Sequence, residues 1–360
     1  MAMPEFARNM DQDAAAPFCT TTNTSYYHSL IDWGDANDPL RKLLSPSLPA
    51  AGGKGIWGAS DEEAEYLAQG YRHKFRTSAF LMLPETEAEE GVSPALEYVA
   101  AHPEIRQVIL AGGDCFSLPT PKLRKLIQSL RAIPHVGIIR LSTRMPVMEP
   151  MRITDDLGLL RLIREFSTPS KPLYLMAHIH HPREMTEQAI RAFRSLGDAG
   201  AVIVNRTPIL GGINDAPELL GELLERLELA GVTPYYFFVD RPREESGEFA
   251  VSLSRAYRLV EEAKLTTAGL GRRARLAVNH DAGFIEVLAV EGGKAYLKFH
   301  ASPDDDAGKF ITADCPDDAL WLTDLPGSES RIGSLTIDWT DSEDYGLRTS
   351  YVKRPYQIGD

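Results

Sequence analysis

Residues 133–178 read IPHVGIIRLSTRMPVMEPMRITDDLGLLRLIREFSTPSKPLYLMAH, and this stretch decides the fold. Val136–Leu141 (VGIIRL) and Leu173–His178 (LYLMAH) are short, continuous apolar runs of the kind that make strands buried on both faces. Between them Asp155–Phe166 carries apolar residues at helical spacing. A buried strand, a helix and a second buried strand form one crossover unit of a parallel sheet.

The unit recurs on both sides. Further strand candidates are Ser78–Leu83 (SAFLML), Gln107–Leu110, Ala201–Asn205 (AVIVN), Tyr235–Val239 and Arg275–Val278. Pro121–Ala132, Thr186–Leu196, Pro217–Leu229 and Val251–Lys264 are the amphipathic segments between or after them. Leu83 runs into PETEAEEGVSPALEYV, an acidic turn followed by a helix. This alternation predicts an α/β protein whose parallel strands form a partial or complete (β/α) barrel rather than a flat doubly wound sheet. No G-x-G-x-x-G or Walker loop follows any of the strands. After His280 the pattern changes, and Glu286–His300 and Arg331–Thr340 read as antiparallel strands. The expected organisation is an N-terminal helical and irregular wrap over 1–70, the barrel over 71–283, and a small C-terminal β appendage and tail over 284–360.

Composition narrows the class. The chain has 360 residues, 43% hydrophobic and 25% charged, which suits one barrel-sized domain with appendages. A formal net charge of -13 argues against a nucleic acid or an anionic membrane as partner. No long apolar run and no signal peptide is read, so a cytoplasmic location is expected. The three cysteines, Cys19, Cys115 and Cys315, are far apart and make neither a CxxC pair nor a disulfide framework. An iron–sulfur cluster needs several thiolates converging on one site, usually from one short loop.

Six segments, in order, resemble the lysine 2,3-aminomutase family of radical S-adenosylmethionine (SAM) enzymes. They are YYHSLIDWGDANDPLRK (Tyr26–Lys42), GYRHKFRTSAFLML (Gly70–Leu83), HPEIRQVILAGGD (His102–Asp114), IPHVGIIRLSTRMPV (Ile133–Val147), LMAHIHHPREMT (Leu175–Thr186) and VNRTPILGGIND (Val204–Asp215). The resemblance covers most of the chain. It implies a radical-SAM barrel with a [4Fe–4S] cluster, SAM and pyridoxal phosphate (PLP).

The departures from the family are as informative. The family's CxxxCxxC loop follows the first barrel strand, where this chain has the acidic turn after Leu83. Placing YRHK (Tyr71–Lys74) on the last cluster segment instead still supplies no cysteine and loses the first strand. RRARLAVNHDAGFIEVLAV (Arg272–Val290) resembles the segment whose lysine forms the Schiff base with PLP, and Phe284 stands at that position. Gly211 replaces the arginine before the GVND-like turn. The cluster and the PLP anchor are therefore both expected to be absent, and radical amino migration needs both.

In parallel αβ barrels the site forms at the C-terminal strand ends. Gly112, Gly113 and Asp114 are the GGD that contacts the amino group of SAM in the family, or else a tight turn and a helix cap. Arg144 offers a guanidinium to a carboxylate or phosphate, or makes a structural pair. Asn205 and Arg206 follow the fifth strand. Asp215 matches a residue that binds the substrate's amine in the family, or serves as a turn or cap before Pro217. His178 and His180 share a strand face, and with Asp240 and His280 they suggest a mononuclear Fe, Zn or Mn site in which His178, His180 and Asp240 are catalytic. The alternative is an inherited polar network of hydrogen-bonded histidines.

Two functions follow. One is a repurposed barrel that binds a small polar ligand (an amino acid, SAM or both) and performs non-radical, metal-assisted chemistry. The other is a non-catalytic relative that partners or regulates an intact enzyme. A homo-oligomer or a partner enzyme is expected, as is common in the family. A cluster supplied from outside the chain is a remote third reading.

Overall fold

In the computed structural model, residues 25–44, 70–83, 92–241, 249–280, 283–301 and 310–326 are described. Eleven strands form one sheet in sequence order. They are β1 (Tyr71–Phe75), β2 (Ser78–Met82), β3 (Gln107–Ala111), β4 (Ile138–Thr143), β5 (Leu173–His178), β6 (Val202–Pro208), β7 (Thr233–Val239), β8 (Arg275–His280), β9 (Gly283–Glu291), β10 (Lys294–Ala301) and β11 (Phe310–Asp314). β2 to β8 pair in parallel, each with the next. β1 is antiparallel to β2, and β8 to β11 run as an antiparallel meander.

The helices are α1 (Ser25–Ser29), α2 (Pro39–Lys42), α3 (Val92–Ala101), α4 (Thr120–Ala132), α5 (Met145–Met148), α6 (Met151–Thr154), α7 (Leu157–Phe166), α8 (Glu187–Asp198), α9 (Pro217–Leu229) and α10 (Leu253–Thr266). Side-chain caps start several of them. Asp156 accepts from the Leu159 amide at α7, Thr186 from Ala189 at α8, and Ser252 from Arg255 at α10.

The two faces of the sheet differ. Val108 and Leu110 of β3, Ile139 and Leu141 of β4, Leu173 and Leu175 of β5, and Leu276 and Val278 of β8 join the helices in one continuous core. Their alternate neighbours face the other way. Among the described residues that inner face holds two small apolar clusters, Phe80 with Ile109 and Ala111, and Tyr236 with Phe238 and Ala277. The rest of it mixes apolar positions such as Ile138, Met176 and Val204 with polar ones. Alternation puts Arg140, Ser142, His178, Arg206, Asp240 and Asn279 there.

The pairing order is open: among the described residues no ladder joins β1 to β8 or to β11, so of the partial or complete barrel expected, a closed one is not formed. β9 occupies the free edge of β8, which leaves β1 no backbone to pair with there. The sheet is strongly curved all the same. Laid flat, β1 and β8 would stand seven strand spacings or roughly 34 Å apart. Instead the Lys74 ammonium of β1 donates to the His280 carbonyl at 3.1 Å.

The strand expectations hold with shifted ends. β4 begins two residues late, because the Gly137 and Ile138 amides are held by the Arg106 carbonyl before the ladder starts. β6 runs on to Pro208 and β8 to His280, so Asn205, Arg206, Asn279 and His280 lie within strands rather than after them. β1 was not expected as a separate strand. The expected antiparallel pair around Glu286–His300 is β9 and β10, joined through Gly292 and Gly293 at φ 59° and 71°. The Arg331–Thr340 expectation lies outside the described residues.

Candidate functional site: imidazoles and guanidiniums at the strand ends

The site starts from the end of β5. His181 caps a 3-10 turn over Pro182–Glu184, its Nδ1 accepting from the Arg183 amide at 3.1 Å. Glu184 closes the motif, its Oε2 accepting from the amides of His180 at 2.6 Å and His181 at 3.1 Å. From neighbouring elements the Asn214 amide donates to the His180 carbonyl at 2.8 Å and the Thr207 hydroxyl to the Ile179 carbonyl at 2.5 Å. The backbone of 179–181 is thus pinned on both sides.

The rings it carries are not pinned in this way. His178 is 3% exposed and His180 1%. His178 Nε2 and both ring nitrogens of His180 have no hydrogen-bond partner among the described residues. A buried polar group without a partner costs about 1–3 kcal/mol. Burial holds both imidazoles well below the usual histidine range. The Arg206 and then Arg144 charges add to this at His178, and Arg144, His178 and Arg206 do so at His180. At neutral pH each ring is uncharged, with one N–H donor and one acceptor.

The flanking guanidiniums are placed by carboxylates. Arg144 Nη2 donates to Glu184 Oε1 at 2.6 Å, with Glu184 fully buried. The Arg144 amide donates to Asp114 Oδ2 at 2.6 Å. Asp114 Oδ1 also accepts from the Thr143 hydroxyl and the Phe116 amide at 2.8 and 2.9 Å, tying the ends of β3 and β4 together. On the other side the Arg206 guanidinium lies 4.2 Å from the centre of the Phe238 ring. Burial lowers its pKa to about 10, while Asp240 acts in the opposite sense. Burial raises the Asp240 carboxyl, and Arg206 draws it back.

The other expected site residues stand elsewhere. Asn205 points to the helix side, where it donates to Thr207 Oγ1 at 3.0 Å and accepts from the Tyr235 amide at 2.6 Å. Asp215 accepts from the Gly212 amide at 2.9 Å and pairs with Arg255 at 3.0 Å. The His280 ring lies 6.2 Å from that of Trp321. Gly112 has φ +92°, and a Cβ there would meet the Leu83 amide nitrogen and carbonyl oxygen at 3.2 Å, whereas Gly113 has ordinary room. His178, His180, Asp240 and His280 do not assemble as a metal set: no three His, Cys, Asp or Glu gather to hold a metal among the described residues. What stands beside the two imidazoles is guanidinium. Asp114 caps the 3-10 turn at Cys115–Ser117, one of the two roles left open for it.

Two residues of this arrangement were not foreseen, Glu184 and Tyr27. The H-x-x-E spacing of His181 and Glu184 is the available signal, a helix-start box with an unusual cap residue.

Comparison with known proteins fixes the lineage. No family model matches the chain. A protein of Aquifex aeolicus provisionally named an L-lysine 2,3-aminomutase is 35% identical over 346 residues, covering 89% of this chain and 91% of that protein. The chain belongs to the lysine 2,3-aminomutase family. The L-lysine 2,3-aminomutase of Fusobacterium nucleatum is 30% identical over 68% of this chain and 62% of its own length. That of Escherichia coli K12 is 29% identical over 66% of this chain and 74% of its own length.

The groups that the aminomutase resemblance implies can be tested against the residues present. Cys115 and Cys315 are both buried, one after β3 and the other after β11. Burial pushes both thiols up, that of Cys115 strongly, where Asp114 adds to it. These two thiols come from different elements rather than from one short loop of the kind that holds a cluster, and Cys19 lies outside the described residues. Phe284 on β9 packs against Tyr236 and Phe238, ring centres 4.9 and 5.9 Å away, and offers no amine to PLP. Among the described residues no helix is long and apolar enough to cross a membrane.

Proposed function

We propose that this aminomutase-family chain has left the radical reaction and uses the inner face of a partial parallel barrel to bind a small zwitterion, an amino acid or the amino-acid end of SAM. The observation that carries this reading is the set of three partnerless imidazole nitrogens buried between Arg144 and Arg206. Buried polar groups in folded proteins are almost always satisfied, so such a set points to a ligand that completes it. The sign of the ligand follows from the neighbours. A divalent cation at the two imidazoles would face two guanidinium charges, whereas a carboxylate would meet N–H donors and favourable charge. Asp240, at the same end of the sheet and opposed to Arg206, suits the ammonium of the same ligand.

The reading that the cluster and the PLP anchor are absent is supported by Phe284 and by the buried, separated thiols. It leaves non-radical chemistry or ligand sensing as the role of the barrel.

Isothermal titration with the common L-amino acids and SAM tests the proposal, beside the variant His180→Leu, which removes both ring nitrogens at similar volume. Binding of at least one of these ligands by the wild type, lost in the variant, is expected. Elemental analysis on protein purified without chelators runs in parallel. About one Fe, Zn or Mn per chain, lost in His180→Leu, with no amino acid or SAM bound, would replace this reading with the metal site.

A further inference from the structure

Residues 25–44 lie across the β5–α8 loop and meet the site at Tyr27, whose hydroxyl bonds Glu184 and Arg144 alike. Tyr27 is fully buried, and its hydroxyl donates to Glu184 Oε1 at 2.8 Å. That same oxygen accepts from Arg144 Nη2 at 2.6 Å, and the Arg144 guanidinium carbon lies 6.0 Å from the centre of the Tyr27 ring. The second oxygen of Glu184 holds the His180 and His181 amides. One carboxylate therefore sets a guanidinium and the backbone of an imidazole at once, and the phenol of Tyr27 fixes where that carboxylate sits.

Other bonds seat the segment without touching Glu184. The Tyr26 hydroxyl and Thr186 Oγ1 are 2.5 Å apart. Arg183 pairs with Asp38 at 2.7 Å and donates to the Leu30 carbonyl at 2.6 Å. The Lys42 ammonium donates to the Gly212 carbonyl at 3.5 Å.

We infer that Tyr27 and Glu184 are positioning residues: the N-terminal segment is a strap whose phenol aims Glu184, and Glu184 aims Arg144 and His180 at the ligand. This rests on the binding reading above for its functional meaning, but its mechanical half stands alone. The charge balance agrees with it. Burial raises the Tyr27 hydroxyl well above its ordinary range, with the Glu184 charge adding to the rise, so it stays protonated and donates at all physiological pH. With the phenol gone, Glu184 Oε1 keeps only Arg144, and the carboxylate is free to rotate toward it and off the His180 amide.

Glu184→Gln would disturb a fully buried carboxylate and threaten folding, so the test uses Tyr27→Phe, which keeps the ring. Tyr26→Phe is the control, since it removes a strap bond that does not reach Glu184. Two quantities are read in the full-length chain: hydrogen exchange of the His180 and His181 amides, and affinity for SAM and L-lysine by titration. Tyr27→Phe is expected to speed exchange of both amides about tenfold and weaken binding about five- to tenfold, the net size of one ordinary hydrogen bond. Tyr26→Phe should leave both near wild type. A Tm matching that of Tyr26→Phe would separate aiming from mere stability. Amide exchange in Tyr27→Phe equal to wild type, or raised equally in Tyr26→Phe, overturns the inference. Faster exchange only in Tyr27→Phe, in a protein that binds neither probe, upholds the aiming and removes the ligand instead.

Discussion

Lowering the pH from 7.5 to 5.5 should destabilise this protein through His178 and His180, and the size of the effect can be worked out. In the unfolded chain each imidazole titrates near 6.5. In the folded chain burial and the two arginines hold both rings well below that. Below pH 6.5 the unfolded state therefore takes up protons that the folded state does not, and stability falls as pH falls. With the folded rings neutral throughout, each costs on the order of 1 kcal/mol at pH 5.5, against almost nothing at pH 7.5, or roughly 3 kcal/mol for the pair. For 360 residues, the usual entropy of unfolding turns this into a fall in Tm of about 3 to 4 °C. His28, His73 and His181 are shifted in the same direction, so the wild-type slope alone does not isolate the pair. The double variant His178→Leu, His180→Leu does. Thermal denaturation of both proteins across this range should show the variant losing about 3 to 4 °C less. The variant should also be no less stable at pH 7.5, because replacing partnerless buried nitrogens by apolar atoms removes a penalty. Equal pH slopes in the two proteins would refute the placement of neutral, unsatisfied imidazoles in the core.

Three further outcomes are expected. Arg144→Met should cost about 3–5 kcal/mol in chemical denaturation, because it leaves the buried Glu184 carboxylate without its counter-charge. Gly112→Ala should cost about 1–3 kcal/mol, since alanine disfavours φ +92° and its Cβ would press on the Leu83 backbone. Cys115 and Cys315 should react with a thiol reagent far more slowly in the native protein than in urea, as buried thiols pushed up in pKa do; immediate native labelling of either would contradict its placement.

What the sequence told depended on the range of the interactions. The parallel strands were legible because a strand buried on both faces writes itself as a local apolar run, as in LYLMAH at Leu173–His178. The end of β6 was not, because Asn205 is a polar residue satisfied inside the sheet by Thr207 and by the Tyr235 amide 30 residues away. β1 was hidden by its charges, Arg72 and Lys74, and by a turn at Arg76–Thr77 that has no glycine or asparagine. His178 and His180 are both buried at the end of β5, but among the described residues no third His, Cys, Asp or Glu gathers with them. Spacing along one strand does not report the neighbours Arg144, which follows β4, and Arg206, which lies in β6. Glu184 left a local mark only in its H-x-x-E spacing from His181; its long-range partners left none. Its partners Tyr27 and Arg144 stand 157 and 40 residues away.

The division of the sheet into two faces explains how such a chain can keep its fold while its inner face changes. Hydrophobic burial, the main stabilising term, is concentrated between the sheet and the helices, in one core that runs from β2 to β11. Among the described residues the inner face contributes two small apolar clusters beside several ionisable groups. A substitution there moves few core contacts. Phe284 illustrates this: its ring joins Tyr236 and Phe238 and enlarges an inner cluster, so at that position an aromatic side chain adds packing. His178 and His180 run the other way, since their partnerless nitrogens lower stability. In a site with no remaining use, exchange of those nitrogens for apolar atoms would be favourable. The backbone around them is nevertheless pinned by Glu184, Asn214 and Thr207, three side chains from two separate segments. A costly pair held this carefully is better explained by a ligand than by packing, and the strap residue Tyr27 belongs to the same apparatus.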